Sequence, residues 1–152
     1  STERELETAL TNHITKFLLE LGAGFSYIGK QFQLKVDGDD FYIDLLFYHV
    51  KLHCYVVVEL KTGKFQPEFA GKLNFYLSVV DDKIKSKSDN PSIGILICKE
   101  RNKLVAEYAL KDIKKPMGIS EYHLTKDFPK ELKGKLPTVK DIERELMERK
   151  YK

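Results

Sequence analysis

The stretch FYIDLLFYHVKLHCYVVVELK, Phe41 to Lys61, decides how this chain reads. Two runs of β-branched and aromatic residues flank a short polar break, the pattern of a hairpin of buried strands. Asp44, Glu59 and Lys61 put charge where such strands should be apolar. Glu59 and Lys61 are two residues apart, so a strand turns both to one face. A turn centred between Lys51 and Leu52 pairs residues whose numbers sum to 103, which sets Asp44 opposite Glu59. Facing carboxylates on paired strands lie roughly 5 Å apart at Cβ and repel each other. They are costly in a sheet unless a cation sits between them. A divalent metal between two acids, with a lysine alongside, is the equipment for hydrolysing a phosphodiester. The reading depends on register, because a slip of one residue sends Asp44 to the other face. The plain alternative is that charges near strand ends reach solvent and that Glu59 simply pairs with Lys61.

The bulk properties are permissive. The 152 residues suffice for one domain with a real core, and the chain reads as one domain over 1–152. A net charge of +3 announces no polyanion partner by itself. The lysines are unevenly placed, however: Lys83, Lys85 and Lys87 in a loop, Lys111, Lys114 and Lys115 after a helix, and Lys126, Lys130, Lys133 and Lys135 near the end. Such groups suit phosphate contacts, although by themselves they read better as a solvated lysine surface. Cys54 and Cys98 lie in apolar runs and read as small core residues in a reducing compartment, and a cytoplasmic setting of bacterial type is the expectation consistent with this. The histidines at 13, 49, 53 and 123 show no zinc spacing, and His49 and His53 read as turn or rim residues. No apolar run reaches transmembrane length, so no membrane partner is expected.

Around the hairpin the chain alternates helices and strands. Thr2 and Glu5 form a capping box, and Leu6, Leu10, Ile14, Phe17, Leu18 and Leu21 follow at helical spacing until Gly22 and Gly24. Phe25–Val36 reads as a strand, and Asp37-Gly38-Asp39 as a tight turn into the Asp44 strand. Pro67 opens a helix to about Val80, and Asp81 to Pro91 is a polar loop. Ser92–Cys98 is a buried strand, Asn102–Ile113 a helix and Ile119–Leu124 a last strand; Thr138 caps a charged terminal helix, VKDIERELMER. The order is α-β-β-β-α-β-α-β-α, an α/β domain with one mixed sheet and helices on both sides.

Two further groups are candidates. Glu20 lies among Leu18, Leu19 and Leu21 at the edge of the apolar stripe of the first helix, and reads equally as a site residue or a surface charge. Lys72 and Tyr76 are four apart on a helix and share a face that lines the site if the helix packs beside the hairpin, while Leu73 and Leu77 read as core.

The segments GKQFQLKVDGDDFYIDLLFYH, YVVVELKTGKFQPEFAGKLNFYL and GILICKERNKLVAEYAL together resemble the PD-(D/E)XK nuclease superfamily, and more closely the C-terminal nuclease domain of the YhcG family. The resemblance covers nearly the whole chain. It implies a restriction-endonuclease-like αβββαβ core, here with an added αβ unit and a C-terminal helix. It places the superfamily aspartate on Asp44, the (D/E)XK pair on Glu59 and Lys61, the acid of the first helix on Glu20, and a Q-x-x-x-Y pattern on Lys72 and Tyr76. Ile43 stands where that superfamily nominally has proline, and Lys72 where it has glutamine. A helical amino-terminal domain is implied ahead of this one, as is a 5′-phosphate product.

The expected activity is Mg²⁺-dependent endonucleolytic hydrolysis of DNA, with Mn²⁺ as a substitute. Asp44, Glu59, the Leu60 backbone carbonyl and Glu20 supply hard oxygen ligands, and Lys61 orients water and stabilises the transition state. Lys72 and Tyr76 are expected to touch substrate. The rival reading is a catalytically inactive nuclease-fold module for nucleic-acid binding or assembly. RNA stays open as a substrate.

Overall fold

The structure is a computed structural model and describes residues 3–20, 24–125 and 128–133. The element order is α1 (Glu3–Glu20), β1 (Phe25–Val36), β2 (Asp39–His49), β3 (Cys54–Leu60), α2 (Pro67–Lys83), β4 (Ile93–Cys98), α3 (Lys103–Leu110), β5 (Met117–Thr125) and β6 (Phe128–Lys133). The six strands form one sheet in sequence order. β1, β2 and β3 are antiparallel neighbours, β3, β4 and β5 run parallel, and β6 returns antiparallel to β5. The mixed α/β sheet expected from the sequence is therefore present.

Alternation along the strands builds two cores. Leu45, Phe47, Val56, Val58, Ile95 and Ile97 pack with Leu10 and Ile14 of α1 on one face. Leu46, Val57 and Leu96 pack with Leu73, Tyr76 and Leu77 of α2 and Ala106 of α3 on the other. β4 is buried along its whole length, as a central parallel strand covered on both faces must be. Gly94 belongs there because a Cβ would come within 2.8 Å of the Leu73 side chain.

Turn chemistry fixes the hairpins. Asp37 and Gly38 both have positive φ, 48° and 86°, which gives the β1–β2 turn the twist that joined antiparallel strands need. At the other turn His49 is fully buried, and its Nδ1 accepts the Leu52 amide at 3.1 Å. The rim position expected for His49 is thus corrected: the ring turns inward and ties the loop to the strand.

Some boundaries move. α2 runs to Lys83, so that lysine ends a helix rather than opening a loop. Asn102 caps α3, its side chain accepting the Leu104 and Val105 amides, and the helix stops at Leu110. The expected last strand starts earlier, at Met117, and a sixth strand follows it. Pro129 argues against a strand from sequence, but β6 lies at the sheet edge, where a missing N–H is tolerated. Thr2 of the expected capping box and the expected helix after Thr138 lie outside the described residues. No helix among the described residues is long and apolar enough to cross a membrane.

Candidate active site

The β2–β3 ladder runs from His49–Cys54 to Leu45–Val58, pairs whose numbers sum to 103 as the sequence implied. One step further the strands splay and the side chains take over. The Asp44 amide donates to Glu59 Oε2 at 2.8 Å, and the Leu60 amide donates to Asp44 Oδ2 at 2.8 Å. Each carboxylate thus satisfies a backbone donor of the facing strand that the ladder no longer serves. The exchange locks the two acids side by side at the point where the hairpin opens.

The pleat reverses at the same place. Ile43 packs with the α2 core, whereas Leu45, two residues on, packs with the α1 core. In a regular strand both would share a face. Gln31, which the β1–β2 register sets beside Asp44, has φ 46°, and its Nε2 donates to Asp44 Oδ1 at 3.1 Å.

Electrostatics follow from this packing. Glu59 is only 3 % exposed. Burial first, and the Asp44 charge second, push its carboxyl from 4.5 up to about 7, against the opposing pull of the Asp44 amide, Lys61 and Lys72. Lys61 begins the loop after β3. Its amide donates to the Ile97 carbonyl at 2.8 Å and its Nζ lies 4.7 Å from the centre of the Phe69 ring. On α2, Lys72 Nζ sits 5.7 Å from the Tyr76 ring centre. Tyr76 is 2 % exposed, and burial, followed by the Glu59 and Asp44 charges, pushes its phenol up to about 12. It stays a neutral O–H donor.

These groups line one cleft of about 1120 Å³. Asp44, Glu59, Leu60 and Lys61 come from the hairpin, Lys72 and Tyr76 from α2, Lys30 and Gln31 from β1, and Arg4 and Glu7 from α1. Glu20 closes α1, and its side chain lies outside the described residues. Thirteen residues separate it from Glu7, or about 20 Å of helix axis. Among the described side chains, the acid that α1 brings to the cleft is Glu7. It stands one turn before Leu10 and two before Ile14, so an acid in register with the apolar stripe was the signal for it. Among the described residues, no three His, Cys, Asp or Glu side chains form a cluster ready to hold a metal.

The cations at the cleft are Arg4, Lys30, Lys61 and Lys72, not the clusters conspicuous in the sequence. Lys115 pairs with Asp81 at 2.9 Å, and Lys85 Nζ reaches the Ser86 and Asp89 carbonyls at 3.4 Å. Lys126 and Lys135 lie outside the described residues, as do the side chains of Lys130 and Lys133.

A sequence profile of the YhcG PDDEXK nuclease domain matches residues 1–137. The chain belongs to the YhcG PDDEXK nuclease domain family. YhcG of Escherichia coli (strain K12) is 39 % identical over 123 residues, which make up 81 % of this chain and 33 % of YhcG. The chain thus spans a third of the length of that relative. A repair endonuclease from Pyrococcus abyssi shares the fold, with a TM-score of 0.53 and 15 % identity over 76 % of this chain and 46 % of that one. Membership in the YhcG domain family makes this chain a nuclease domain with the restriction-endonuclease-like α/β architecture expected of it.

Proposed function

We propose that this YhcG-type domain hydrolyses DNA phosphodiesters endonucleolytically with Mg²⁺, for which Mn²⁺ substitutes. The observation that carries the reading is the reciprocal amide–carboxylate exchange of Asp44 and Glu59 at the mouth of a cleft with cationic walls. Two adjacent carboxylates, one of them buried with its proton held up to about pH 7, fit a cation better than they fit each other. Each oxygen that accepts one amide keeps a second lone pair for a ligand. Asp44, Glu59 and the Leu60 carbonyl would hold the ion, with Glu7 of α1 in the role that the family resemblance gave to Glu20. When bound, a divalent ion polarises the scissile phosphate, offsets its developing charge and acidifies water.

The chain's own groups do the rest. The Lys61 ammonium, held against the Phe69 ring, stabilises negative charge building on the phosphoryl oxygens. Arg4, Lys30 and Lys72 draw the polyanion to the cleft. The Tyr76 phenol, neutral throughout the physiological range, keeps its proton near the acids and serves as a donor, not as a base. In the full-length protein an amino-terminal helical domain supplies further contacts to the substrate. The free, buried Cys54 and Cys98 suit the reducing cytoplasm.

The inactive binding module is favoured by one observation: among the described residues, no three acid, histidine or cysteine side chains cluster as a ready-made cation cage would require. Incubation of the domain with supercoiled plasmid, linear duplex and RNA, in Mg²⁺ or in EDTA, separates the readings. Nicking of plasmid in Mg²⁺ that is lost in Glu59→Gln is expected. Retention of DNA without cleavage in either ion favours the binding module, and cleavage of RNA alone moves the substrate class.

A further inference from the structure

Gln31 is exposed, yet it holds its backbone at φ 46°, a left-handed conformation that disfavours residues with a Cβ and that glutamine has no local reason to adopt. An exposed hydrogen bond of 3.1 Å contributes too little to stability to account for this. What the conformation does is local. It reverses the pleat beside Asp44, leaving Phe32 and Ile43 on the α2 face and Leu45 on the α1 face, and it aims the Gln31 amide at Asp44. The Leu60 amide fixes one carboxylate oxygen, Oδ2, and alone leaves the group free to swing about that contact. Gln31 Nε2 fixes the other, Oδ1. Donors from the two strands that flank β2 therefore define the plane of the carboxylate. Strained backbone beside a functional group is where a positioning role is expected.

We propose that Gln31 is a positioning residue for the site: it orients the Asp44 carboxylate for a divalent cation, and the left-handed backbone exists to deliver its amide. The inference rests on the metal-site reading of Asp44 and Glu59. It concerns a residue that neither composition nor strand pattern singles out. Partners that orient a ligating carboxylate typically alter metal affinity 10–100-fold when removed.

Calorimetric titration of Mn²⁺ into the wild-type domain, Gln31→Gly, Gln31→Asn and Asp44→Asn, with melting curves of each in EDTA, tests it. Gln31→Gly should melt at or above wild type, because glycine takes a positive φ freely, while its Mn²⁺ affinity falls about 10–100-fold. Gln31→Asn also tolerates the backbone but falls one methylene short of Asp44, so its affinity should drop similarly. Stability and affinity thus separate, which a merely structural residue would not show. Wild-type affinity in either variant, or affinity that falls only in step with melting temperature, overturns the inference while leaving the metal site standing. Failure of the wild-type domain to bind Mn²⁺, or undiminished binding by Asp44→Asn, overturns the metal site and this inference with it.

Discussion

Replacing Glu59 by glutamine should make the metal-free domain more stable at alkaline pH and remove part of its pH dependence. The Glu59 carboxyl is 3 % exposed and shifted from 4.5 to about 7, principally by burial and next by Asp44. A raised acid pKa means that the folded state holds the proton more tightly than the unfolded chain. The penalty is absent below about pH 4.5, grows between 4.5 and 7, and is fully present above 7. A shift of this size corresponds to on the order of 3 kcal/mol. Glutamine removes the charge and keeps an oxygen for the Asp44 amide, so the hydrogen bond at 2.8 Å survives. At roughly 2–4 °C per kcal/mol for a chain of this length, the gain is at most about 6–12 °C at pH 8. Melting curves of wild type and Glu59→Gln in EDTA, from pH 4.5 to 8.5, read the difference directly. It should be near zero at pH 4.5 and largest at pH 8. Saturating Mg²⁺ at pH 8 should then raise the wild-type melting temperature and leave the variant where it was. A variant less stable than wild type at pH 8, or a difference that ignores pH, would refute the argument that Glu59 is held as a strained, buried acid.

Other substitutions divide the site into parts. Lys61→Ala should retain Mn²⁺ binding by calorimetry and lose roughly 10²–10³-fold in plasmid cleavage, since the acids remain and the charge facing the phosphate goes; wild-type cleavage would remove Lys61 from the chemistry. Asp44→Asn should stay folded, because its remaining oxygen accepts the Leu60 amide and the Gln31 amide can flip to face its nitrogen. It should also bring the Glu59 titration, followed by NMR, down toward the ordinary carboxylate range; an unchanged Glu59 titration would show that burial alone sets it. Glu7→Gln should weaken Mg²⁺-supported cleavage about 10-fold or more, while Glu20→Gln leaves it near wild type; the opposite pattern would return the helix acid to Glu20.

Register was legible only through the turn: one centred at Lys51–Leu52 pairs Val56, Val57 and Val58 with Phe47, Leu46 and Leu45, and that pairing placed Asp44 beside Glu59. The break in the pleat was not legible. Gln31 lacks the left-handed tendency of glycine or asparagine, so nothing in its residue type announces a φ of 46°. Glu7 was not singled out because the acid sought on α1 was one flanked by apolar residues, as Glu20 is by Leu18, Leu19 and Leu21, whereas Glu7 stands in register with Leu10 and Ile14, which pack on the sheet. β6 was not read from the sequence: FPKELK carries a proline and two lysines and lacks a strand's alternation, and it is tolerated as an edge strand. The cleft's cations were not legible from the lysine clusters, because spacing along a chain shows charge density and says nothing about which cations, such as Lys115 at Asp81, are already paired.

The central claim is that Asp44 and Glu59 together bind a divalent cation at the mouth of the cleft. Anomalous diffraction from crystals of the domain soaked in Mn²⁺ tests it without a guess at the substrate. The account predicts a manganese peak within coordination distance, roughly 2.0–2.4 Å, of a carboxylate oxygen of each residue. A peak held by other residues, or none beside Asp44 and Glu59 in crystals whose cleft is open to solvent, would contradict it.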